Sequence, residues 1–367
     1  MSFIKKEPVL SAAAVLAFLS MFFVAPSPEY LSYIDFRTLA LLFSLMTVVA
    51  GLKEIGLFRY LGSSLLAGMH STHQLAFTLT ALCFFSSMLI TNDVSLITFV
   101  PFSILILNMA GLPELMIPVI VLQTIAANLG SMATPIGNPQ NLYLYSSFGL
   151  SAGELVGYML PLTVLSALLL VAAVFLLKNK AITLSRTSLH QDGCPTKTSL
   201  IFYLALFLVC LGCVVRIYSW PVMFFIILAA VLIKDRSLFI RVDYFLLLTF
   251  VCFFIFIGNM ERIPAISGLL TKLISGHEFP AGVLLSQCIS NVPALLSGFT
   301  GAVRPLLFGV NVGGLGTLIA SMASVISYRA YAGIPEAKSG TYMMVFTLYN
   351  LIFLIIMCAA GWMLLSL

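Results

Sequence analysis

Three consecutive polar residues, Thr91-Asn92-Asp93, separate two apolar runs, and the last of them is an isolated charge. Asp93 is the only Asp, Glu, Lys or Arg between Arg59 and Glu114. A carboxylate at the centre of a bilayer costs about 2.5–3.5 kcal/mol, so it calls for a partner, a cation or a proton. The tripeptide therefore predicts an ion or proton site. The alternative is a cap on the following helix, and the two roles can coexist.

A second polar stretch, ANLGSMATPIGNPQNL at 127–142, follows an apolar run. Pro135 and Pro139 rule out a continuous helix, so we expect one half-helix to end here and another to begin. Free amides at a half-helix N-terminus can bind an anion, and free carbonyls can coordinate Na⁺. A loop outside the membrane is the alternative, which the absence of charge disfavours. The candidate ligands are Asn128, Thr134, Gly137, Asn138 and Asn141.

Two further polar segments lie in the second half of the chain. Ser290-Asn291-Val292-Pro293 interrupts an apolar run as Thr91-Asn92-Asp93 does, and its Pro suits the first turn of a helix. The stretch NVGGLGTLIAS at 311–321 resembles the broken segment of the first half. A simple Pro kink and close helix packing through small residues are the respective alternatives. The candidates are Ser290, Asn291, Asn311, Gly313 and Ser321, with Na⁺ expected at Asn92, Asp93 and Asn291.

These segments must be held by membrane helices. The 367-residue chain is 61% hydrophobic and 8% charged, with a mean hydropathy of +1.11. An ordinary soluble domain is about 25% charged. The composition excludes disorder, a secreted disulfide scaffold and a nucleic-acid-binding domain. At about 20 residues per span, it predicts an all-α polytopic membrane protein with about 9–11 transmembrane segments.

The two halves of the chain repeat the same landmarks in the same order. Each begins with an Asp and an aromatic residue, at Asp35 and Asp243, and continues with an apolar helix, an amphipathic stretch, a polar-tipped hairpin and a broken helix. The expected topology runs them in opposite directions. It predicts inverted repeats, each with a re-entrant hairpin and a broken transmembrane helix, although hairpin arms that span fully are the alternative. The predicted parts are an N-terminal transmembrane helix at 1–34, inverted repeat 1 at 35–177, a cytoplasmic linker at 178–198, and inverted repeat 2 with its preceding helices at 199–367.

Basic residues predict the orientation. The longest polar stretch, 178–198, carries four basic residues and one acid, which is typical of the cytoplasmic side. With this loop and the N-terminus inside, most of the 18 Lys and Arg residues fall inside as well. The expected location is the plasma (inner) membrane of a prokaryote.

At these segments the chain resembles the ion transporter superfamily, which includes arsenical-pump proteins, NhaD-type antiporters, citrate-transporter-like proteins and divalent anion symporters. TNDVSLITFVP, NLGSMATPIGNPQNL, SQCISNVPALL and VNVGGLGTLIASMAS carry the resemblance, and the YbiR-type inner-membrane branch is the most similar. The resemblance implies two re-entrant hairpins and two broken helices around a central site. It also implies that Asn92, Asn128, Asn291 and Asn311 bind substrate and Na⁺, together with Thr134, Gly137, Asn138, Asn141, Gly313 and Ser321. Divalent anion symporters typically carry Ser-Asn-Thr at both tips, whereas this chain has Thr-Asn-Asp and Ser-Asn-Val.

Two functions fit these observations. The first is a secondary active transporter of a small anion, either an inorganic oxyanion such as arsenite or a carboxylate, coupled to Na⁺ or H⁺ by alternating access. The alternative is a Na⁺/H⁺ antiporter in which Asp93 carries both cations. An intramembrane enzyme or channel is disfavoured because no paired catalytic groups occur. We expect no cofactor besides the coupling ion. The expected partners are the lipid bilayer, the anion and, by superfamily analogy, a second copy of the chain in a homodimer, but no nucleic acid.

Overall fold

The computed structural model describes residues 8–66, 69–182, 195–287, 292–335 and 337–366. Within these ranges every regular element is a helix, apart from one isolated antiparallel bridge between Ser71 and Ala181. Eight of the described helices are long and apolar enough to cross a membrane, and four shorter apolar helices accompany them. This confirms an all-α polytopic membrane protein, while the inverted relation of the two halves stays a prediction.

The helices of the first half begin where the sequence predicts, because polar side chains cap them. The Asp35 carboxylate accepts the backbone N–H of Thr38 at 3.1 Å, so the first long helix starts at Phe36. The hydroxyl of Ser151 accepts from Glu154 in a reciprocal capping box. The helices are α1 (Pro8–Ser20), α2 (Tyr30–Tyr33), α3 (Phe36–Glu54), α4 (Leu57–Leu66), α5 (Thr72–Ile90), α6 (Asn92–Met109), α7 (Pro113–Ser131), α8 (Pro139–Ser147) and α9 (Ala152–Phe175).

The second half has a similar order of elements after two connecting helices, but its Glu278–Ser286 and Val292–Phe299 arms are about half as long as those of the first half. Asp243 takes the place of Asp35, since its carboxylate accepts the N–H of Leu246 at 2.9 Å. The connecting elements are α10 (Lys197–Val214), α11 (Trp220–Lys234) and a 3-10 turn (Arg236–Arg241). The repeated elements are α12 (Tyr244–Glu261), α13 (Pro264–Ile274), α14 (Glu278–Ser286), a 3-10 helix (Val292–Phe299), α15 (Val303–Val312), a 3-10 turn (Leu318–Ala320), α16 (Met322–Ala332) and α17 (Ser339–Ser366).

Helix α7 lies at the centre of the protein. Every residue of 119–131 is buried, and α7 contacts α5, α6, α9, α16 and α17. By contrast α9 exposes Leu160, Val164 and Leu168 at helical spacing. A stripe of large apolar residues on the outside of a polytopic protein faces lipid, so α9 lies at the periphery.

Helices α5 and α6 form the first hairpin, and the N-terminus of α5 and the C-terminus of α6 lie at the same end of the molecule. The Thr72 N–H at the start of α5 donates to the Lys180 carbonyl at 3.0 Å. The Lys180 ammonium pairs with Glu114, in the first turn of α7, at 2.6 Å, and a short turn joins α6 to α7. The arms are about 28 Å long at 1.5 Å per residue, so the hairpin tip lies far from that end.

Candidate functional site

The hairpin tip is a strained turn that contacts the break between α7 and α8. Thr91 separates α5 from α6 with φ 73° and ψ 150°, a conformation that a β-branched residue rarely adopts. The next N–H, that of Asn92, donates to the Gly137 carbonyl at 3.0 Å. The Asn92 side-chain amide donates to the Asn128 side-chain oxygen at 3.1 Å. The first two predicted segments therefore meet.

Asn128 also joins these segments to the second half of the chain. Its side-chain oxygen accepts from the Ser321 hydroxyl at 2.9 Å, and its amide donates to the Gly314 carbonyl at 3.4 Å. Asn128 is 5% exposed and Ser321 is 4% exposed. A buried amide with partners in both halves holds the hairpin tip, α7 and the segment before α16 in one arrangement.

A second group of asparagines ties α8 to α15. Asn138 caps α8, because its side-chain oxygen accepts the Asn141 N–H at 2.7 Å. The Asn138 amide donates to the Asn311 oxygen at 3.1 Å, and the Asn311 amide donates to the Asn141 oxygen at 2.7 Å. The result is a closed ring of three buried asparagines, in which two links join side chains and the third comes from the Asn141 backbone N–H.

We call Asn92, Asn128, Asn138, Asn141, Asn311 and Ser321 the asparagine cluster. These residues come from three of the four predicted segments, and the structure brings them together at the broken helices. Their side chains satisfy one another or nearby backbone groups, as buried polar groups must. In this conformation every asparagine side-chain amide of the cluster donates a hydrogen bond to another group of the protein, so the cluster holds the surrounding helices together.

The remaining predicted residues have individual surroundings. The Thr134 hydroxyl donates to the Met88 carbonyl in the hairpin. A Cβ atom on Gly137 would lie 2.0 Å from the Ser131 carbonyl oxygen, and one on Gly313 would lie 2.7 Å from the Ser286 hydroxyl. Both glycines therefore permit close backbone packing. Ser290 and Asn291 lie outside the described residues, and so does the expected Na⁺ ligand from the second tip.

A cavity of about 270 Å³ lies beside the asparagine cluster and extends toward one end of the molecule. No cluster residue lines it, but chain neighbours of three of them do. It is lined along α3 from Leu42 to Glu54, a distance of about 18 Å at the rise of an α-helix. Its inner end has Thr91 and Asp93 at the hairpin tip, together with Pro139 and Met322. The charged residues of its outer end are Lys53, Glu54, Arg241 and Asp243.

Three helix N-termini border the inner end of this cavity. Asp93 lies in the first turn of α6, Pro139 is the first residue of α8, and Met322 is the first residue of α16. Each helix N-terminus carries a partial positive charge of about half an elementary charge. Several first-turn N–H groups are already bonded within the protein, among them those of Asn92, Asp93 and Asn141, so the attraction for an anion comes from the helix dipoles. The electrostatic field at the inner end therefore favours a negative group, and Asp93 is the negative group already there.

The charges at the outer end largely compensate one another. Arg241 pairs with Glu54 at 3.6 Å, and both side chains are more than half exposed. Asp243 caps α12. In the part of the chain that the structure describes, no three His, Cys, Asp or Glu side chains are grouped as a transition-metal site would require.

Two glutamines that the sequence reasoning missed hold the site together. The Gln123 amide in α7 donates to the Leu79 carbonyl at 3.1 Å and to the Ser103 hydroxyl at 2.8 Å, which joins both hairpin arms to α7. The Gln287 amide donates to the Gly313 and Leu315 carbonyls, each at 2.9 Å, and fixes the second broken segment. Both are uncharged polar residues beside apolar runs, a signal that could have identified them.

Comparison with known proteins points to solute transport. A family model described as "Citrate transporter" matches residues 2–305. An uncharacterized transporter of Methanocaldococcus jannaschii is 31% identical over 334 residues, which cover 90% of each chain. The inner membrane protein YbiR of Escherichia coli is 31% identical over 322 residues, or 84% of this chain and 83% of that relative. The silicon efflux transporter LSI3 of Oryza sativa is 34% identical over 136 residues, or 36% of this chain and 28% of that relative. The expected resemblance to the YbiR-type branch is confirmed, and the comparisons identify a transporter and not an enzyme.

Proposed function

The chain belongs to the citrate transporter family, and from this membership we propose that it is a secondary active transporter of a small anion. Transport is coupled to Na⁺ or H⁺ and proceeds by alternating access. The solute is an inorganic oxyanion such as arsenite, or a carboxylate. It binds at the inner end of the cavity beside the asparagine cluster.

The observation that carries this proposal is the convergence of three helix N-termini on the cavity. An anion near one helix N-terminus gains about 0.3–1 kcal/mol, and more where the site is partly buried. The first residues of α6, α8 and α16 share one cavity wall. Their dipoles attract an anion at the inner end. The basic residues of the cavity wall, Lys53 and Arg241, line the outer end instead.

Alternating access requires the asparagine cluster to repack. The cluster joins the hairpin tip, both broken helices and both halves of the chain through side-chain hydrogen bonds. A hydrogen bond of this kind contributes about 0.5–1.5 kcal/mol net, so a bound solute can replace several of them at moderate cost. Movement of one half against the other then closes the cavity and opens the site on the opposite side.

The environment of Asp93 favours a second candidate function, Na⁺/H⁺ antiport. Its Oδ1 atom is buried and has no hydrogen-bond partner among the described residues. An intramembrane carboxylate without a partner can carry Na⁺ in one direction and H⁺ in the other. This mechanism needs no anion, which separates it from the first proposal.

The distribution of basic residues supports the proposed orientation of the chain in the membrane. With the N-terminus and the 178–198 loop in the cytoplasm, the cavity mouth at Lys53 and Arg241 also faces the cytoplasm. The membrane is the plasma membrane of a prokaryote. The homodimer remains an expectation by analogy.

Uptake into proteoliposomes tests the two functions. The solute panel is arsenite, phosphate, sulfate, citrate and succinate, with silicic acid added because one relative is named for silicon efflux. Gradients of Na⁺ and of H⁺ are imposed separately. Gradient-driven uptake of a panel anion supports anion transport, whereas Na⁺/H⁺ exchange with no anion present supports the antiporter.

A matched pair of variants ties any flux to the site. Asn128→Ala removes a cluster member with partners in both halves, and Asn350→Ala removes a buried asparagine whose only described bond is to the Phe346 carbonyl. Uptake should fall at least tenfold in the first variant and change less than twofold in the second. Equal rates in both variants would exclude the asparagine cluster as part of the transport site.

A further inference from the structure

The Asp93 carboxylate lies at the inner end of the cavity without a bonded partner. Both Asp93 and Thr91, two residues earlier in the chain, line this cavity. Neither carboxylate oxygen makes a hydrogen bond or an ion pair with any described residue, and Oδ1 is buried. Carboxylates that cap helices in this protein, such as Asp35 and Asp243, accept backbone N–H groups at 3.1 Å and 2.9 Å. Asp93 accepts none, so capping does not account for it.

This carboxylate is itself an anion in the field that would hold a transported anion. Asp93 is in the first turn of α6, and the first residues of α8 and α16 line the same cavity. A carboxylate side chain and a free carboxylate or oxyanion are attracted by the same helix N-termini and repelled by each other. Both cannot occupy this end of the cavity at full charge without a large electrostatic cost.

The charged groups of the cavity wall do not neutralise Asp93, and the negative charge of Asp243 acts on it directly. Helix α3 contributes Lys53 and Glu54 at the outer end, and the elements after α11 contribute Arg241 and Asp243 there. Arg241 is paired with Glu54 at 3.6 Å. The other lining residues are uncharged, among them Met46, Ile97, Leu246 and Ile326. Among the described residues of the cavity wall, Asp93 is therefore the one ionisable group at the hairpin tip, and no positive charge is paired with it.

We propose that Asp93 is a tethered competitor of the transported anion, and that a proton on Asp93 admits the anion to the site. The proposal rests on the proposed function and identifies its coupling ion as H⁺. One proton from the water in the cavity binds a carboxylate oxygen, Asp93 becomes neutral, and the anion takes the position near the helix N-termini. After the site opens on the other side, the anion leaves and Asp93 releases the proton. A monovalent anion and a proton thus move together without net charge.

The test compares the wild type with Asp93→Asn, Asp93→Glu and Glu114→Gln in proteoliposomes, with the panel anions as probes. Glu114 is an exposed carboxylate paired with Lys180 at the opposite end of α7 from the asparagine cluster, so its variant controls for loss of a negative charge. Initial uptake is measured from pH 5.5 to 8.5 on the side that the cavity faces. Accumulation against a concentration gradient is measured in the same vesicles.

In the wild type, uptake relative to Asp93→Asn at the same pH, a ratio that cancels titration of the anion itself, should fall up to tenfold per pH unit once Asp93 is ionised. Asp93→Asn should take up sulfate, whose charge is constant over this range, with less than a twofold change if sulfate is transported, and should no longer accumulate any anion in a pH gradient. Asp93→Glu should keep the pH dependence, which shows that an ionisable group and not the Asp shape is required. Glu114→Gln should match the wild type.

Different results overturn different statements. Loss of all anion uptake in a folded Asp93→Asn protein would show that the carboxylate is needed as a cation ligand, which refutes the competitor. A wild-type pH profile in Asp93→Asn, or accumulation driven by Na⁺ alone, would refute it as well. If the wild type moves no panel anion in any gradient, the proposed anion transport fails first, and the inference fails with it.

Discussion

Replacing Gly137 with Ala should disrupt the contact that positions the first hairpin tip. An alanine Cβ at this position would lie 2.0 Å from the Ser131 carbonyl oxygen and 2.7 Å from two other Ser131 backbone atoms. Ordinary contacts of a Cβ atom begin near 3.4 Å, so the two backbone segments would have to separate by more than 1 Å. Backbone atoms of a buried segment cannot rotate away as a side chain can.

The cost has two parts. Overpacking of a closely packed site costs about 1–3 kcal/mol. The displacement also weakens the 3.0 Å hydrogen bond from the Asn92 N–H to the Gly137 carbonyl, worth about 1 kcal/mol. We therefore expect Gly137→Ala to lose about 2–4 kcal/mol of stability. Its transport should fall at least tenfold, because the hairpin tip with Asn92 no longer meets the other residues of the asparagine cluster.

The matched control is Gly157→Ala in α9, where an added Cβ has nothing within 4 Å. Alanine is a better helix former than glycine by about 1 kcal/mol, so this variant should be as stable as the wild type or more so. Thermal unfolding in detergent measures the stability, and uptake into proteoliposomes measures the function. The reasoning is refuted if Gly137→Ala unfolds at the wild-type temperature and transports at the wild-type rate.

Three further variants probe the same site and its cavity. Asn128→Ala leaves the Asn92 amide and the Ser321 hydroxyl without their acceptor, so the free energy of unfolding should fall by about 2–4 kcal/mol. A loss below about 1 kcal/mol would contradict these hydrogen bonds. Thr91→Gly relieves the strain of a positive φ of 73°, which costs about 1–3 kcal/mol. Glycine has a larger backbone entropy in the unfolded chain, so the net gain in the free energy of unfolding should be about 1 kcal/mol. A lower melting temperature would show that the turn is unstrained. Glu54→Gln removes one partner of an exposed ion pair and should change stability by about 0.5 kcal/mol or less in a thermal scan, whereas a loss above 2 kcal/mol would mean that the pair holds the cavity mouth together.

Local features of the sequence predict the helices well. Asp35 and Asp243 mark the starts of α3 and α12 because a carboxylate satisfies the free N–H groups of the first turn. The break between α7 and α8 is predicted by Pro135 and Pro139 with Gly137 between them, whereas a single proline, Pro118, is tolerated inside α7. Hairpin boundaries near Thr91 follow from polarity in an apolar run.

The hydrogen-bond partners within the site do not follow from the sequence. Asn138 bonds to Asn311 across 173 positions, and Asn128 bonds to Ser321 across 193. Spacing along the chain carries no information on such pairs, since they depend on how whole helices pack. The convergence of α6, α8 and α16 on one cavity is likewise visible only in three dimensions. The sequence therefore predicts an ion or proton site at Asp93 but not its position among helix N-termini that favour anions.

The most direct test of the central claim, that the cavity ending at the asparagine cluster is the path of the solute, is labelling of Met322→Cys in a chain whose seven native cysteines are replaced. A membrane-impermeant thiol reagent should reach this cysteine from one side of the membrane, and the transported anion should slow the reaction several-fold. Leu168→Cys, on the lipid-facing side of α9 with 63% exposure, should not react. A reaction at Met322→Cys that the transported anion leaves unchanged, or no reaction from either side, would contradict the account.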